Sequence, residues 1–427
     1  MTIQQSSIGT VTANPASASA PSESRWFMLV VVLLVAALFR IAYLLPSRAN
    51  QNDFAHYYLS SRFLIDGEDP YRVPLKPYYE THGFVYNPRI PSATNPPLLL
   101  VFFAPLSLLP PGIAFWLWAG LNGASLAIGL VLTRRLVCAD WPATSWWLAV
   151  AAVLWSFPIL DHFAYSQVQL EIGALLLGAF HFQRTGKPGL GCALAAIAAV
   201  LKLFPVLVLP WFVFHSARNG KEIGRRVFIV GTVWLVAFLA TGPALWQGFV
   251  QSGLPVISDW VMNQWGNLSL PSLVYNIASV VLGDAFTAQS SRFWWSIASL
   301  SGVALIAAAY AWVWASRTDS RIRFGVVLLA MVLSGTTAWT HYYVLLIWPS
   351  FVAVDLARTY PGMVRRVLTA IMGLLLVVPI GGMAVAAAAD QPFLVNVFLG
   401  YMAFYGAILA GGLLMSAPAS GATAGGD

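Results

Sequence analysis

Asn52-Asp53-Phe54-Ala55-His56-Tyr57-Tyr58 opens a polar interval, Gln51 to Pro97, that closes on Asn95-Pro96-Pro97. Between its ends lie Arg62, the acidic turn Asp66-Gly67-Glu68-Asp69-Pro70-Tyr71, and Tyr86-Asn87-Pro88. Five carboxylates, Asp53, Asp66, Glu68, Asp69 and Glu80, fall within this stretch. Residues 26–45 before it are apolar, and long hydrocarbon-rich runs follow it. Apolar runs of membrane-crossing length read as transmembrane helices. A polar island among them reads as a loop that leaves the lipid. That contrast decides the fold class: an all-α polytopic membrane protein.

Composition agrees. The chain of 427 residues is 59% hydrophobic and 9% charged, whereas a soluble domain is about 45–50% apolar and about 25% charged. Eighteen tryptophans and fifteen tyrosines suit a protein with two water–lipid interfaces, where amphipathic rings settle. The net charge of +7 is spread over short loops, which marks topology rather than nucleic-acid binding. Cys138 and Cys192 make no disulfide framework, and neither a Cys/His metal cluster nor a glycine-rich phosphate loop is present in the pattern.

Residues 26–45 make the first span, and the loop 46–97 follows. Within it, Asp53 to Ile65 is expected to form a helix lying along the membrane surface, with Phe54, Tyr57, Tyr58, Ser61, Leu64 and Ile65 near one face and Gly67 as its stop. Segment 98–109, fenced by Pro97 and Pro110-Pro111, is too short to cross and is expected to be re-entrant or interfacial. Further spans are expected near 112–133, 144–160, 168–183, 189–201, 204–216, 226–243, 293–315, 324–340, 343–357, 366–385 and 393–415. With the N-terminus cytoplasmic, fifteen of the twenty-three cations fall in inner segments, and five of the seven outer ones lie in 46–97. This positive-inside pattern gives twelve crossings with both ends inside. Residues 1–25 and 416–427 read as disordered cytoplasmic tails around a single membrane domain, 26–415, whose outer loops are 51–97 and 244–291.

The same topology brings Asp53, Asn95, Asp161-His162, Gln167, Lys202, Asn263-Gln264, Asn267 and His341 to the outer ends of spans. Asp53 can be a base that takes a proton from an attacking hydroxyl, or a helix N-cap, for which Asp is a preferred type. Lys202, between two short apolar helices, either snorkels to water or meets an anion such as a phosphate. Glu171, one turn beyond Gln167 on the same face, needs a buried partner. Asp66, Glu68 and Asp69 read as turn chemistry rather than a cation site. The run Asn263-Gln264-Trp265-Gly266-Asn267-Leu268-Ser269 offers amides for hydroxyls and flat rings for a sugar, or an ordinary interfacial belt.

Several motifs together resemble glycosyltransferase family 87, which includes polyprenyl-phosphate-mannose-dependent α-1,2-mannosyltransferases of the GT-C fold. They are Asn52-Asp53-Phe54 with Tyr57-Tyr58, Gly67-Glu68-Asp69-Pro70-Tyr71, Tyr86-Asn87-Pro88 and Asn95-Pro96-Pro97-Leu98. Ser166-Gln167-Val168-Gln169 resembles a Gly-Gln-x-Asn element, Leu201-Lys202-Leu203-Phe204-Pro205 a Lys-x-x-Pro element, and Gly266-Asn267-Leu268-Ser269-Leu270 an Asn-x-Ser element. Thr340-His341-Tyr342-Tyr343 resembles the late histidine motif. Ser166 stands where Gly is usual, Gln169 where Asn is usual, and Thr340 where Asp is common.

The resemblance implies inverting transfer of a hexose, mannose by analogy, from a polyprenyl-phosphate carrier to a glycolipid or glycan hydroxyl outside the cytoplasmic membrane. It implies Asp53 as base, Lys202 and His341 on the donor phosphate, and Tyr57, Asn95, Gln167 and Asn267 about the sugar and acceptor. No metal or other cofactor and no nucleic acid is expected. A transporter or flippase of lipid-linked sugars is the competing class, because Lys202 sits in a helix break.

Overall fold

The computed structural model describes residues 22–48, 52–88, 90, 92–255, 262, 266–377 and 401–418. Among the described residues the chain is helical throughout, apart from one isolated bridge between Asn267 and Trp339. Lipid-sized apolar runs must satisfy their backbone internally, and helices do this without an edge. α1 (Ser22–Leu44) turns Trp26, Phe27, Leu38 and Phe39 outward, as a helix bathed in hydrocarbon does.

Among the described residues, five stretches are long and apolar enough to cross a membrane: Arg25–Leu44, Pro111–Leu136, Gly220–Thr241, Gln289–Ala315 and Thr340–Thr359. A sixth forms if α6 (Ala143–Trp155) and α7 (Phe157–Tyr165), expected as one span over 144–160, are counted together across their 50° bend. Ser156 is extended there and Pro158 lacks an amide proton, so the helical ladder is interrupted. Other expected spans are shorter than a crossing needs. α8 (Gln169–Arg184) has 16 residues, α9 (Pro188–Leu201) 14 and α15 (Ser320–Ser334) 15, or about 20–24 Å at ~1.5 Å per residue. The hydrocarbon core is about 30 Å thick. Only α17 (Met363–Val377) and α18 (Met402–Met415) are described from the last two expected spans; the remainder of 366–385 and 393–415 lies outside the described residues, as do nearly all of both tails.

The helix expected over 53–65 is α2 (Asn52–Ile65), ended by Gly67 at φ +82°. It does not lie on a surface with one face buried. Every residue from Phe54 to Ser61 is less than 4% exposed, because aromatic neighbours close round it. The Phe54 ring meets Phe103 of α4 (Pro97–Ser107) at 5.9 Å and Phe115 of α5 (Pro111–Leu136) edge-on at 5.2 Å. α4 itself has 11 residues, about 16 Å of helix, which cannot cross the hydrocarbon.

Lys202 breaks the chain between α9 and the 3-10 turn Phe204–Val208, which leads into α10 (Leu209–Phe214). Its backbone is extended (φ −149°, ψ 131°) and Pro205 prevents a continuous helix. α11 (Gly220–Thr241) and α12 (Pro243–Gly248) follow. Phe249 then joins Tyr71, Ala93 and Leu100 in a small apolar cluster that holds the acidic turn against the bundle. α13 (Leu270–Leu282), α14 (Ala288–Ala315) and α15 meet at Gly302, where a β-carbon would stand 2.1 Å from the Ser334 carbonyl oxygen. α16 (Ile347–Thr359) continues the 3-10 turn Thr340–Leu346 that carries His341.

Candidate active site

At one end of the bundle, α2, the α7–α8 turn, the 92–96 loop and the α9 break converge. Tyr57 donates its hydroxyl proton to Gln167 Oε1 at 2.7 Å, and Gln167 Nε2 donates to Asp53 Oδ2. The Gln167 carboxamide thus links the α2 carboxylate to the Tyr57 hydroxyl one turn further on. Ser166 makes this possible. It takes the left-handed conformation (φ 54°, ψ 49°) that ends α7 and throws Gln167 across toward α2. Trp118 Nε1 donates to the Ser166 carbonyl at 2.8 Å and fixes that turn. A side chain in this region costs about 1–2 kcal/mol relative to glycine, which is why glycine is the usual residue in the motif.

Lys202 Nζ donates to Asn95 Oδ1 at 3.1 Å and stands 5.9 Å from the centre of the Tyr57 ring. Asn95 is held by its backbone too, since Tyr71 Oη donates to the Asn95 carbonyl at 2.6 Å. Thr94 Oγ1 lies 3.2 Å from His56 Nε2. Burial and the Lys202 ammonium push His56 down to about 4, so its imidazole is neutral near pH 7. Asp53 retains some exposed surface yet lies deep among apolar rings. Burial raises its carboxyl above the usual carboxylate range, while His341, Lys202 and the Gln167 amide pull in the other direction. The result is a carboxyl with a greater appetite for a proton than a surface Asp, with the Lys202 ammonium and the His341 ring within its field.

His341 reaches this end from the 3-10 turn. Its Nδ1 lies 3.4 Å from Asp161 Oδ2 of α7, and the rings of Tyr165 and Tyr342 flank it at 5.5 and 5.2 Å. Asn267, expected about the sugar, turns its carboxamide to the backbone instead. Its Nδ2 donates to the Thr336 carbonyl at 2.8 Å and its Oδ1 accepts from the Ala338 amide at 2.9 Å. With both ends of the amide engaged, Asn267 braces the segment that delivers His341. Asn263-Gln264 lie outside the described residues. His162 is fully buried with Nε2 on Asn122 Oδ1, a core contact, and Glu171 is buried on α8 beside Ser125.

The acidic turn is self-contained: Asp69 Oδ1 accepts from the Tyr71 amide at 2.9 Å, Asp69 pairs with Arg72 at 3.4 Å, and Asp66 pairs with Arg62 at 3.3 Å. Among the described residues no three His, Cys, Asp or Glu side chains gather as metal ligands. A largely apolar cavity of about 40 Å³ is lined by Ser125, Gly129, Gly173 and Trp348, and Asp53 is not in its lining.

The profile of glycosyltransferase family 87 matches residues 93–349, more than half of the chain. The chain belongs to glycosyltransferase family 87. It is 27% identical over 365 residues to the polyprenol-phosphate-mannose-dependent alpha-(1-2)-phosphatidylinositol pentamannoside mannosyltransferase of Mycobacterium tuberculosis (strain CDC 1551 / Oshkosh), a match covering 80% of this chain and 77% of that protein. Over 226 residues it is 28% identical to the protein of the same name from Mycolicibacterium smegmatis (strain ATCC 700084 / mc(2)155), covering 51% of this chain and 52% of the relative. No solved structure matches the chain.

The family match contains Asn95, Gln167, Lys202, Asn267 and His341, and begins after Asp53 and Tyr57. Membership of a glycosyltransferase family decides between an enzyme and a flippase in favour of the enzyme. Sequence reasoning missed His56, Thr94 and Tyr71 at this end. The His56 spacing from Asp53, three residues along a helix, was a usable signal, since such residues share a face.

Proposed function

We propose that this protein transfers a mannosyl residue from a polyprenyl-phosphate carrier to a hydroxyl of a glycolipid, with inversion at the anomeric carbon. Asp53 takes the proton from the acceptor oxygen as that oxygen bonds to C1. The C1–O bond to the phosphate breaks, and its electron pair leaves with the polyprenyl phosphate. Lys202 and His341 stabilise the charge that gathers on this phosphate. Gln167 and Tyr57 hold the base in place, and Asn95 steadies the ammonium. The carrying observation is the convergence of Asp53, Gln167, Tyr57, Asn95 and Lys202 at one end of an apolar bundle. A lipid-linked donor fits that placement, because its tail stays in hydrocarbon while its sugar enters the polar end.

The family resemblance supports a GT-C architecture, and the positive-inside count supports an active end facing away from the cytoplasm in the cytoplasmic membrane. The relatives' names support mannose as the sugar, polyprenyl phosphate as the carrier and a phosphatidylinositol-based acceptor. Purified enzyme in lipid nanodiscs, given polyprenyl-phosphate-mannose, polyprenyl-phosphate-glucose or GDP-mannose with phosphatidylinositol mannosides, tests this. Transfer from the polyprenyl-phosphate-mannose alone is expected. Transfer from GDP-mannose, or from neither lipid donor, would overturn it. Reporter fusions after Gly67 and Gly283 should both report the outer side.

A further inference from the structure

We propose that Asp161 is a positioning residue that fixes the imidazole of His341, so that Nε2 contacts the donor phosphate; this rests on the transfer reaction above. The Asp161 carboxylate reaches His341 from α7, a different element, at 3.4 Å. This is ion-pair range. Both side chains are largely buried, Asp161 at 15% and His341 at 5% exposed. Both ring nitrogens are buried and neither makes a hydrogen bond among the described residues; Nδ1 faces the Asp161 carboxylate, which leaves Nε2 for a ligand. A buried ring nitrogen without a partner is costly unless a ligand completes it.

Everything else about the histidine is over-determined. Tyr165 and Tyr342 sandwich the ring. The Asn267–Trp339 bridge and the hydrogen bond from the Leu268 amide to the Ala338 carbonyl at 2.7 Å fix the backbone just before it. The Tyr343 hydroxyl on the Leu268 carbonyl at 2.8 Å fixes it just after. Asp161 is then what sets which ring nitrogen faces the site. A phosphate oxygen only accepts, so Nε2 must carry a proton to meet it; the Asp161 carboxylate, accepting from Nδ1–H, favours the ring that is protonated on both nitrogens. The bend at Ser156–Phe157 supplies the reason for its placement: α7 turns 50° away from α6 and packs against the 3-10 turn of His341.

A double-mutant cycle reads this directly. The Asp161→Asn, His341→Gln and double variants are compared in nanodiscs for kcat and for donor KM. Asp161→Asn should lower kcat/KM by about ten- to a hundredfold, and in the His341→Gln background it should lower it less than about twofold further. Asp161→Glu should recover most of the loss. Equal factors in the two backgrounds, or no loss at all in Asp161→Asn, would overturn the inference. If Asp161→Asn does not fold, the same cycle is run with Asp161→Ser: its loss must vanish in the His341→Gln background, and a persisting or absent loss counts against the role. Failure of the underlying reaction is separable, because His341→Gln would then leave donor use unchanged.

Discussion

The two ends of the bundle handle buried charge in opposite ways. At the end holding the α10–α11 connection, Arg226 is 1% exposed and bonded through both terminal nitrogens, its Nε making no hydrogen bond among the described residues. It donates to the carbonyls of Phe212, Val213 and His215 and pairs with Glu222 at 2.6 Å. Nearby, Arg134 donates to the Cys138 and Trp141 carbonyls, Trp141 donates to Asp355, and Arg358 covers the Trp141 ring at 4.6 Å. At the other end, Lys202 makes one hydrogen bond among the described residues and His341 Nε2 makes none. Asp53 is held by a single carboxamide. Under the proposed function, charges that serve the fold are engaged by carbonyls near helix termini, whereas charges that serve chemistry keep bonding capacity for a substrate.

Substitutions at each end sharpen this contrast. Short of Asp53 itself, the largest loss is expected at Lys202. Lys202→Ala should reduce transfer by about 10²–10³-fold, the scale of one removed donor to a charged transition state, while the melting temperature stays close to wild type. Arg226→Ala should do the converse. It leaves three carbonyls and Glu222 without their partner and should cost about 3–5 kcal/mol, read as a fall in melting temperature, while folded protein keeps its donor KM. A loss of catalysis without loss of stability in Arg226→Ala would break the distinction.

The pH dependence probes the same end. In the proposed mechanism transfer needs the Asp53 carboxylate, and burial raises its proton affinity. The acid limb of kcat/KM is therefore expected above the range of an ordinary Asp, about 3.9, with activity falling as pH drops through it. Lys202 favours the charged form, so in Lys202→Ala the limb should move to higher pH. A limb that moves to lower pH, or none, would contradict the electrostatic reading.

The smallest effect belongs to Ser166→Gly. Relieving a left-handed serine at φ 54° is offset by the greater freedom of glycine in the unfolded chain, and a change within about 1 kcal/mol is expected. Activity should be unaltered, since Gln167 is aimed by the turn and not by the Ser166 side chain.

How much of this was legible in the sequence varies with the physics involved. Apolar runs and cation counts gave the helical membrane class, and Gly67 marked the end of α2, because hydropathy and glycine conformation are local properties. The burial of α2 on all sides was not legible. Phe54, Tyr57 and Tyr58 have the spacing of a one-faced helix, and only the rings of Phe103, Phe115 and Trp118 from later segments close the remaining faces. The 50° bend at Ser156 and the short α8, α9 and α15 likewise depend on tertiary packing, which lets a helix stop before the hydrocarbon does. At the site, polar residues at span ends pointed to Asp53, Gln167, Lys202 and His341. Asn267 differs: its type suited a sugar, but its amide serves the backbone of residues 336–338, a pairing 70 residues distant in the chain that spacing does not encode.

The central claim is that Asp53 is the base of a sugar transfer at the unsaturated end. Asp53→Asn, purified in nanodiscs and supplied with polyprenyl-phosphate-mannose and a phosphatidylinositol mannoside, tests it most directly. The account predicts a loss of about 10²–10⁴-fold in kcat, with donor still bound and a melting temperature no lower than wild type, since a buried carboxylate is replaced by a neutral amide. Transfer within a few-fold of wild type in that folded variant would contradict it.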